Sequence, residues 1–230
     1  MRDQKTFSQV WVIIAAYNEA GVLARVITTV ASYGYRVVVV DDGSKDATRQ
    51  IALANGALAI QHPMNLGPGA ALQTGITYAL AQGADAIVTF DADGQHRASE
   101  IEFLLSKLIR ENAEFSLGSR FLGRSLKVPA ARRALLRLAT VFTCLTIGLR
   151  LTDTHNGLRA MTRQGATTIR IRQNRMAHAS EILSQIADGG LRYVEVPVTI
   201  DYTAYSLAKG QKIGDSLTIL SDLITEKLVR

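Results

Sequence analysis

Three polar segments directly follow apolar runs of the chain, and they hold the residue types best suited to chemistry. The segments are Tyr17-Asn18-Glu19, Asp41-Asp42-Gly43-Ser44 and Asp91-Ala92-Asp93-Gly94-Gln95-His96. In open parallel sheets, ligands bind beyond the carboxyl ends of the strands. If the apolar runs are parallel strands, the three segments meet at one edge of the sheet and form a single site.

Asp91 and Asp93 have the most specific chemistry of these residues. They lie two apart, so an extended backbone turns both carboxylates to one side, and Gly94 permits a sharp turn behind them. Two close carboxylates repel each other and attract a cation, and oxygen ligands suit Mg²⁺ or Mn²⁺. The pair predicts a divalent-cation site whose coordination is completed by substrate phosphates.

Each segment also has a simpler structural interpretation. Asp93-Gly94 is compatible with a surface turn that has helix-capping acids, Ser44 with the cap of the next helix, and Asn18-Glu19 with another cap. The prediction of a site depends on all three segments falling at the same sheet edge.

The loop Asn65-Leu66-Gly67-Pro68-Gly69 is rich in glycine, but it matches neither common phosphate-binding motif. Leu72 stands where a dinucleotide fingerprint has its third glycine, and the Gly-Lys-Ser/Thr ending of a P-loop is absent. We expect a tight turn that begins a helix.

Strand and helix patterns alternate through the first half of the chain. Strands are predicted at 10–15, 36–40, 57–61 and 85–90, and helices at 21–33, 46–55, 69–82 and 98–112. The second half predicts strands at 115–117 and 191–200, the latter as one or two, and helices at 130–148, 178–187 and 214–229. A continuous run such as Val37–Val40 is typical of a parallel strand covered on both faces. The pattern predicts one α/β domain over residues 1–230, with a doubly wound, mostly parallel sheet.

Composition and charge limit the function classes. The chain has 26 basic and 20 acidic residues, a formal charge of +6, which favours an anionic ligand and is too small for a dedicated nucleic-acid binder. Cys144 is the only cysteine, which excludes an internal disulfide and a cysteine-built zinc site. The longest weakly polar stretch, 138–149, is 12 residues, against about 20 needed to span a bilayer, and no secretory signal is recognisable. We expect a cytoplasmic protein that is soluble or lies on a membrane.

Seven motifs, taken in order, resemble family 2 glycosyltransferases, and most closely their polyprenyl-phosphate branch. The motifs are Ile14-Ala15-Ala16-Tyr17-Asn18-Glu19, Val40-Asp41-Asp42-Gly43-Ser44, Asn65-Leu66-Gly67, Asp91-Ala92-Asp93-Gly94-Gln95-His96, Gly118-Ser119-Arg120, Asp153 to Arg159, and Glu195-Val196-Pro197-Val198. The resemblance implies a GT-A fold, a UDP- or GDP-hexose donor, a divalent metal and inversion at the anomeric carbon. It also implies a Rossmann-like nucleotide-sugar half at about 10–120 and an acceptor half at about 121–230.

The same resemblance assigns site residues. Asp91 and Asp93 are the expected catalytic pair, which with Gln95 holds Mg²⁺ or Mn²⁺ and the diphosphate. Residues expected to bind the nucleotide sugar are Ala15, Tyr17, Glu19, Val40, Asp42 and Ala92. Lys209 and Lys212 are compatible with a segment that closes over the donor diphosphate and equally with a solvated loop. The chain departs from the family pattern at Ala15, where proline is usual, and at His155-Asn156, where small polar residues are more frequent.

A basic block predicts an anionic acceptor. No acidic residue occurs between Phe115 and Thr152, whereas seven arginines and lysines do. Such a segment is compatible with a solvated helix face or with contact to an anionic leaflet. The resemblance implies that Arg120 and Arg132, with Arg133 as the alternative one position on, bind the acceptor phosphate. A lipid phosphate is already anionic and needs no general base, whereas a sugar hydroxyl does, and for that case Glu181 and His178 are the candidate bases.

The leading hypothesis is therefore an inverting transferase that moves a hexose to polyprenyl phosphate at the cytoplasmic membrane face. The chain ends at Arg230 without further apolar segments, so we expect a separate small integral membrane protein as a partner. The alternatives are transfer to a saccharide hydroxyl in O-antigen, capsule or other surface polysaccharide, and a non-catalytic module that binds a membrane surface.

Overall fold

The computed structural model describes residues 6–123, 125–126, 130–202 and 205, with the backbone alone for 125–126 and 130–136. The strands are β1 (Val10–Ala16), β2 (Arg36–Asp41), β3 (Leu58–Gln61), β4 (Ala86–Thr89), β5 (Phe115–Ser119), β6 (Ser125–Leu126), β7 (Arg159–Thr162), β8 (Tyr193–Pro197) and β9 (Ile200–Asp201). The helices are α1 (Leu23–Ala31), α2 (Thr48–Ala54), α3 (Pro68–Ala81), α4 (Ile101–Arg110), α5 (Ala130–Ile147), α6 (Arg163–Thr168) and α7 (His178–Asp188).

Within the described ranges, seven strands form one sheet in the order β3-β2-β1-β4-β7-β5-β8, and β6 pairs with β9 in a separate ribbon. Strand β7 is antiparallel to both of its neighbours, while the other pairs in the sheet are parallel. The predicted fold class, a doubly wound and mostly parallel sheet, is confirmed.

The sheet is covered on both faces, which explains the continuous apolar strands. In β1, Val12 and Ile14 belong to the core cluster with α1 and α4, whereas Trp11 and Ile13 belong to the cluster with α3 and α7. Successive side chains of a strand point to opposite faces, so a strand with helices on both sides is apolar at every position. Strand β1 is thereby packed between two layers of helices.

Helices α1 and α2 begin later than predicted, because the preceding residues form turns of their own. Helix α1 begins at Leu23 rather than at residue 21, because the chain first turns at Glu19, whose carbonyl accepts bonds from the next turn. Helix α2 begins at Thr48 rather than at residue 46, since the Asp46 carboxylate accepts the Thr48 N–H. Residues 98–100 form a 3₁₀ turn before α4.

The sequence prediction missed β7 and α6, and the 191–200 segment is two strands. Strand β7 is only four residues long and contains a charged residue, Arg159, so it lacks the apolar signal of the parallel strands. Its register places Arg159 beside Thr89 at the carboxyl end of β4. The helix predicted at 214–229 lies outside the described residues.

Candidate active site

A cleft with a volume of about 300 Å³ lies at the carboxyl ends of β1 and β4. These strands are parallel neighbours, and β2 and β3 continue the sheet on the far side of β1. Because β7 runs antiparallel, the loop that enters it meets the carboxyl end of β4. One wall of the cleft is therefore formed by residues 89–93 and the facing wall by residues 155–159 and the start of α7.

Asp91 lies at the base of the cleft between a histidine and a glycine. The Nε2–H of His96 donates to Oδ2 of Asp91 at 2.8 Å, and the His96 ring is almost fully buried against Phe90. On the other side, a β-carbon added to Gly157 would lie 2.2 Å from Oδ1 of Asp91. About half of the Asp91 side chain remains open to the cleft. The carboxylate is thus fixed by protein atoms and still accessible to a ligand.

Asp93 is the second carboxylate of the cleft, and its charge is poorly compensated. Its Oδ1 accepts the N–H of Gln95 at 3.0 Å, which closes the turn at Gly94. Burial and the negative charge of Asp91 raise the pKa of Asp93 to about 6. Two carboxylates that disfavour each other's charge in this way form a site that a cation stabilises.

Asp91 differs from Asp93 because cationic and polar groups face it. Burial raises its pKa, whereas the neighbouring His96 ring, with its hydrogen bond to Oδ2, and the positive charge of Arg159 lower it. Together these groups hold the net pKa of Asp91 below its usual range. Asp91 therefore stays ionised across the neutral range.

The donor set fits a hard divalent cation that also binds substrate. Asp91 and Asp93 supply carboxylate oxygens, and Gln95 follows in the same turn. Across the described residues, no group of three or more His, Cys, Asp and Glu side chains is arranged to hold a metal ion. Mg²⁺ commonly takes one or two carboxylates and completes its coordination with water and phosphate, so a two-carboxylate site suits Mg²⁺ or Mn²⁺ bound together with a diphosphate.

Arg159 places a buried positive charge on the facing wall. Its guanidinium donates to the carbonyl oxygens of Asn156 and Thr154, at 3.0 and 3.3 Å, and lies within 3.5 Å of the Ala179 carbonyl. Burial lowers the pKa of Arg159 to about 10, although Asp91 opposes the shift. The side chain remains charged at neutral pH, and it ties the loop that enters β7 to the start of α7.

Two histidines of the same wall are uncharged. Burial lowers the pKa of His155 and of His178, and the charge of Arg159 contributes in both cases. The Nδ1 of His178 lies 2.7 Å from the carbonyl oxygen of Arg175. The wall that faces Asp91 therefore offers neutral hydrogen-bonding groups to a ligand.

Ala15, Glu19 and Ala92 line the cleft on the side of β1. Glu19 is buried, and its Oε2 accepts a bond from the Tyr205 hydroxyl at 2.8 Å. Burial, together with this bond, raises the pKa of Tyr205 to about 12. Tyr17 is not among the residues that line the cleft, and 38% of its surface is exposed.

Two of the residues expected to bind the nucleotide sugar, Val40 and Asp42, make their contacts with other parts of the protein. Val40 is fully buried in β2. The Asp42 carboxylate accepts the N–H groups of Leu66 and Gly67, at 3.0 and 2.7 Å, and lies 2.7 Å from Nδ1 of His62. Asp42 thus holds the glycine-rich loop, which the sequence had indicated only as a turn. A role of either residue toward a nucleotide stays a prediction.

Of the two candidate bases, the structure places only His178 in the cleft. The Glu181 carboxylate accepts the N–H groups of Arg172 and Gln173, at 2.8–3.1 Å, and among the described residues it is not part of the cleft lining. Glu181 therefore fixes the loop before α7 instead of facing the site.

The predicted acceptor-phosphate residues are only partly described. Arg120 is mostly buried, its Nε donates to Asp153 at 2.7 Å, and its Nη2 donates to the carbonyl of His155. Arg132 and Arg133 belong to α5, but their side chains lie outside the described part, as do Lys209 and Lys212 entirely. The phosphate-binding assignments stay predictions.

The capping alternatives for the first two polar segments are wrong. Neither α1 nor α2 has a side-chain cap. Ser44 Oγ instead accepts the Asn18 N–H at 2.9 Å, and Asn18 Oδ1 accepts the Lys45 N–H at 2.8 Å. The first two segments are therefore tied to each other, which positions both at the same edge of the sheet.

Sequence reasoning did not select His96, Arg159 or Gly157 as site residues. Each lies within a motif that was noted: His96 follows Asp93 by three residues, and Gly157 and Arg159 flank Leu158. The placement of Gly157 and Arg159 beside Asp91 depends on the antiparallel strand β7, which local patterns did not predict.

Comparison with known proteins extends this description. The profile of Glycosyl transferase family 2 matches residues 11–176. A UDP-N-acetylglucosamine–dolichyl-phosphate N-acetylglucosaminyltransferase of Methanococcus voltae is 32% identical over 95% of this chain and 96% of that protein. A polyprenol monophosphomannose synthase of Mycolicibacterium smegmatis is 28% identical over 90% of this chain and 82% of that protein.

Among solved structures, glucosyl-3-phosphoglycerate synthase from Mycobacterium tuberculosis, in complex with Mn²⁺, UDP and glucosyl-3-phosphoglycerate, superposes with a TM-score of 0.73. The two are 19% identical, and the match covers 94% of this chain and 79% of that one. At this identity the likeness concerns the fold, and it confirms the predicted GT-A architecture.

Proposed function

The chain belongs to glycosyl transferase family 2, and from that premise we propose that it transfers a hexose from a nucleotide-diphosphate sugar to polyprenyl phosphate. In this reaction an acceptor phosphate oxygen forms a bond to the anomeric carbon, and the bond from that carbon to the donor diphosphate breaks. Attack from the side opposite the leaving group inverts the anomeric centre. The names of the two relatives, which act on dolichyl phosphate or polyprenol, support this acceptor class.

The observation that carries the proposal is the position of the Asp91–Asp93 pair. It lies at the carboxyl ends of the neighbouring strands β1 and β4, where the order of strands in the sheet changes direction. Parallel sheets bind nucleotides at such a point. The pair faces Arg159 and His178 across a cleft of about 300 Å³, in which Glu19 lies on the β1 side. We assign the nucleotide to the β1 side and the transferred sugar to the side of α7.

Asp91 and Asp93, with Gln95, would hold Mg²⁺ or Mn²⁺, which when bound neutralises the negative charge of the donor diphosphate. The chain itself orients Asp91 through the His96 hydrogen bond and the Gly157 backbone. Arg159 adds a fixed positive charge near the same carboxylate. These contacts organise the site before a substrate arrives, which lowers the cost of positioning during the reaction.

The acceptor is assigned from charge and from the placement of the candidate bases. A phosphate acceptor needs no proton removed at neutral pH. Arginine forks bind phosphate well, and the segment from Phe115 to Thr152 contains basic residues without any acidic one. Glu181 is engaged elsewhere. This combination favours an anionic acceptor over a neutral hydroxyl.

Helix α5 supports contact with a membrane surface, because polar side chains of its described part are buried and apolar ones are exposed. Thr140 and Thr143 are buried, while Leu138, Val141 and Leu145 are 67%, 55% and 80% exposed. An apolar stripe on a basic helix suits an anionic leaflet. No helix in the described ranges is long and apolar enough to cross a bilayer. From the exposed apolar stripe of α5 we propose that the enzyme acts at the cytoplasmic membrane face, with a small integral membrane protein as a candidate partner.

The deciding experiment is a transfer assay with the purified chain, Mn²⁺ and anionic vesicles that contain undecaprenyl phosphate. UDP-N-acetylglucosamine, UDP-glucose and GDP-mannose serve as labelled donors. An acid-labile, alkali-stable glycolipid is the expected product, and the Asp93→Ala variant should not form it. If the variant supports the same cellular product as the wild type, the chain is instead a non-catalytic module.

A second candidate function is transfer to a saccharide hydroxyl, as in surface polysaccharide assembly. The observation in its favour is His178, which lies in the cleft and is uncharged, as a general base must be. Transfer to saccharide acceptors in the absence of product on undecaprenyl phosphate would establish this function and overturn the first.

A further inference from the structure

His178 lines the cleft, and one of its two ring nitrogens contacts the protein backbone. Its Nδ1 lies 2.7 Å from the carbonyl oxygen of Arg175. A carbonyl only accepts hydrogen bonds, so Nδ1 carries the proton and the neutral ring keeps its lone pair on Nε2. For Nε2 no protein partner occurs among the described residues. The imidazole therefore presents a hydrogen-bond acceptor of fixed orientation.

The position of this ring is set by close packing at the start of α3. A β-carbon on Gly69 would lie 2.8 Å from Cβ of His178 and 2.0 Å from the carbonyl oxygen of Gln173. The Gly69 N–H also donates to the carbonyl oxygen of Asn174 at 2.8 Å. Glu181 binds the N–H of Gln173 from the other side. The loop before α7 is thus held at several points, and the ring cannot easily turn away.

The surroundings indicate which part of a ligand the ring meets. Asp91 and Asp93 mark where the diphosphate is bound, and His178 lies across the cleft from them, on the wall away from β1. The group joined to the diphosphate on that side is the sugar. Met176 and Ile182 add apolar surface beside His178, so its Nε2 lone pair is a directional polar feature of this part of the wall.

We propose that Nε2 of His178 accepts a hydrogen bond from one hydroxyl group of the donor sugar and thereby selects the donor. This inference rests on the proposed function, since it requires a nucleotide sugar in the cleft. It assigns His178 to substrate recognition and not to proton removal. A site that accepts a hydroxyl hydrogen bond discriminates against a sugar that lacks this group, because the buried acceptor is then left without a partner.

Two substitutions of His178 distinguish the roles of its two ring nitrogens. In His178→Asn the side-chain amide reaches the position of Nδ1, so the bond to the Arg175 carbonyl is kept and the acceptor at Nε2 is lost. In His178→Gln the longer side chain places a carbonyl oxygen near Nε2, while the bond to Arg175 is lost. If His178 served only to hold the loop, Asn would resemble the wild type and Gln would be impaired.

The readout is kcat/KM for the donor that the transfer assay selects from UDP-N-acetylglucosamine, UDP-glucose and GDP-mannose, compared with its monodeoxy analogues. We expect the wild type to prefer the full sugar over one analogue by about tenfold or more. The His178→Asn variant should lose that preference, with a ratio near 1, and His178→Gln should keep part of it. Thermal unfolding of both variants establishes that they are folded.

The outcomes are distinguishable from failure of the proposed function. Absence of transfer from all three donors by the wild type overturns the proposed function, and this inference with it. Transfer with an unchanged analogue preference in His178→Asn overturns the inference alone. A uniform loss of kcat in both variants, with the preference retained, assigns His178 as a general base and also contradicts the inference.

Discussion

The backbone of Gly157 rests directly on the carboxylate of Asp91, since a β-carbon at Gly157 would lie 2.2 Å from Oδ1 and 2.4 Å from Oδ2. The hydroxyl of Thr89 donates to the Gly157 carbonyl at 2.6 Å and fixes the loop in that position. The loop before β7 therefore determines where the first carboxylate of the site can lie.

We expect Gly157→Ala to lower kcat/KM by about 100-fold, because a displacement of about 1 Å in a catalytic group costs on this order. Steady-state kinetics of the transfer reaction measure the effect. Gly75→Ala is the matched control, since its β-carbon would lie 2.4 Å from Cγ2 of Ile13 in the core. The control should lower the melting temperature more than the activity of the remaining folded enzyme, and equal losses of activity in both would contradict the role of Gly157.

The His96–Asp91 hydrogen bond predicts a metal-affinity effect. His96→Phe preserves the packing against Phe90 and removes the donor to Oδ2. We expect the Mn²⁺ concentration for half-maximal activity to rise by about 10- to 100-fold, as for other residues that orient a ligand. His96→Gln, which can place an amide N–H near the position of Nε2, should retain most of the affinity. An unchanged Mn²⁺ dependence in His96→Phe would show that Asp91 is oriented without this bond.

The raised pKa of Asp93 predicts a pH-dependent stability effect in protein freed of metal with a chelator. A carboxyl group whose pKa is raised to about 6 on folding contributes stability at low pH, and this contribution is lost as the pH rises through 6. Asp93→Asn removes the charge at every pH. We expect the variant to be more stable than the wild type above pH 7, by about 3 kcal/mol or roughly 6–12 °C in Tm, and equally stable below about pH 4.

Asp85→Asn is the control of opposite sign. The Asp85 carboxylate accepts bonds from Ser8 and Gln9, which lower its pKa. Its contribution to stability is present above its unfolded pKa and lost as the pH falls. The Asp85→Asn variant should therefore be less stable than the wild type at pH 7. A pH-independent difference between Asp93→Asn and the wild type would contradict the charge argument.

Arg120 and the two arginines of α5 are expected to respond differently to substitution. Arg120→Met leaves the buried Asp153 carboxylate without its cation, so we expect a loss of about 3–5 kcal/mol in the free energy of unfolding. Arg132→Ala and Arg133→Ala should raise KM for polyprenyl phosphate by about tenfold at the predicted phosphate contact, with little change in the donor KM. Denaturant unfolding and two-substrate kinetics give these quantities. An unchanged acceptor KM in both α5 variants would remove them from the acceptor site.

The apolar stripe of α5 predicts membrane association. The combined Leu138→Ser, Val141→Ser and Leu145→Ser variant should bind vesicles of anionic phospholipid at least tenfold more weakly, because burial of each side chain contributes about 1 kcal/mol or more. Phe103→Ser on α4, which is 62% exposed, is the control and should bind as the wild type does. Vesicle sedimentation measures both, and equal binding of the triple variant and the wild type would exclude this face.

The parallel half of the fold followed from local patterns. In β2, five successive residues, Val37 to Asp41, are buried because helices cover both faces of the sheet. Four of the five are valines, and such an apolar run predicts a buried parallel strand. The glycine turns after β2 and β4 also followed from sequence, since Gly43 and Gly94 adopt positive φ values of 71° and 73°. The prediction that the polar segments lie at one edge of the sheet was consequently correct.

The facing wall did not follow from local patterns. Strand β7 is four residues long and gains its stability from pairing with β4 and β5, which are 70 and 42 residues or so away in the chain. Whether Glu181 or His178 faces the cleft depends on the loop before α7, which docks on Gly67 and Gly69. Neither relation has a signature in neighbouring residues.

The amino-acid sequence alone determined the α/β class, the metal-compatible aspartate pair and the edge at which the site lies, because periodicity and strand-end turns are local properties. The tertiary structure decided which side chains meet Asp91. His96 meets it from the same segment, whereas Gly157 and Arg159 approach it only because an antiparallel strand is inserted between β4 and β5, and that insertion is stabilised by contacts between distant segments.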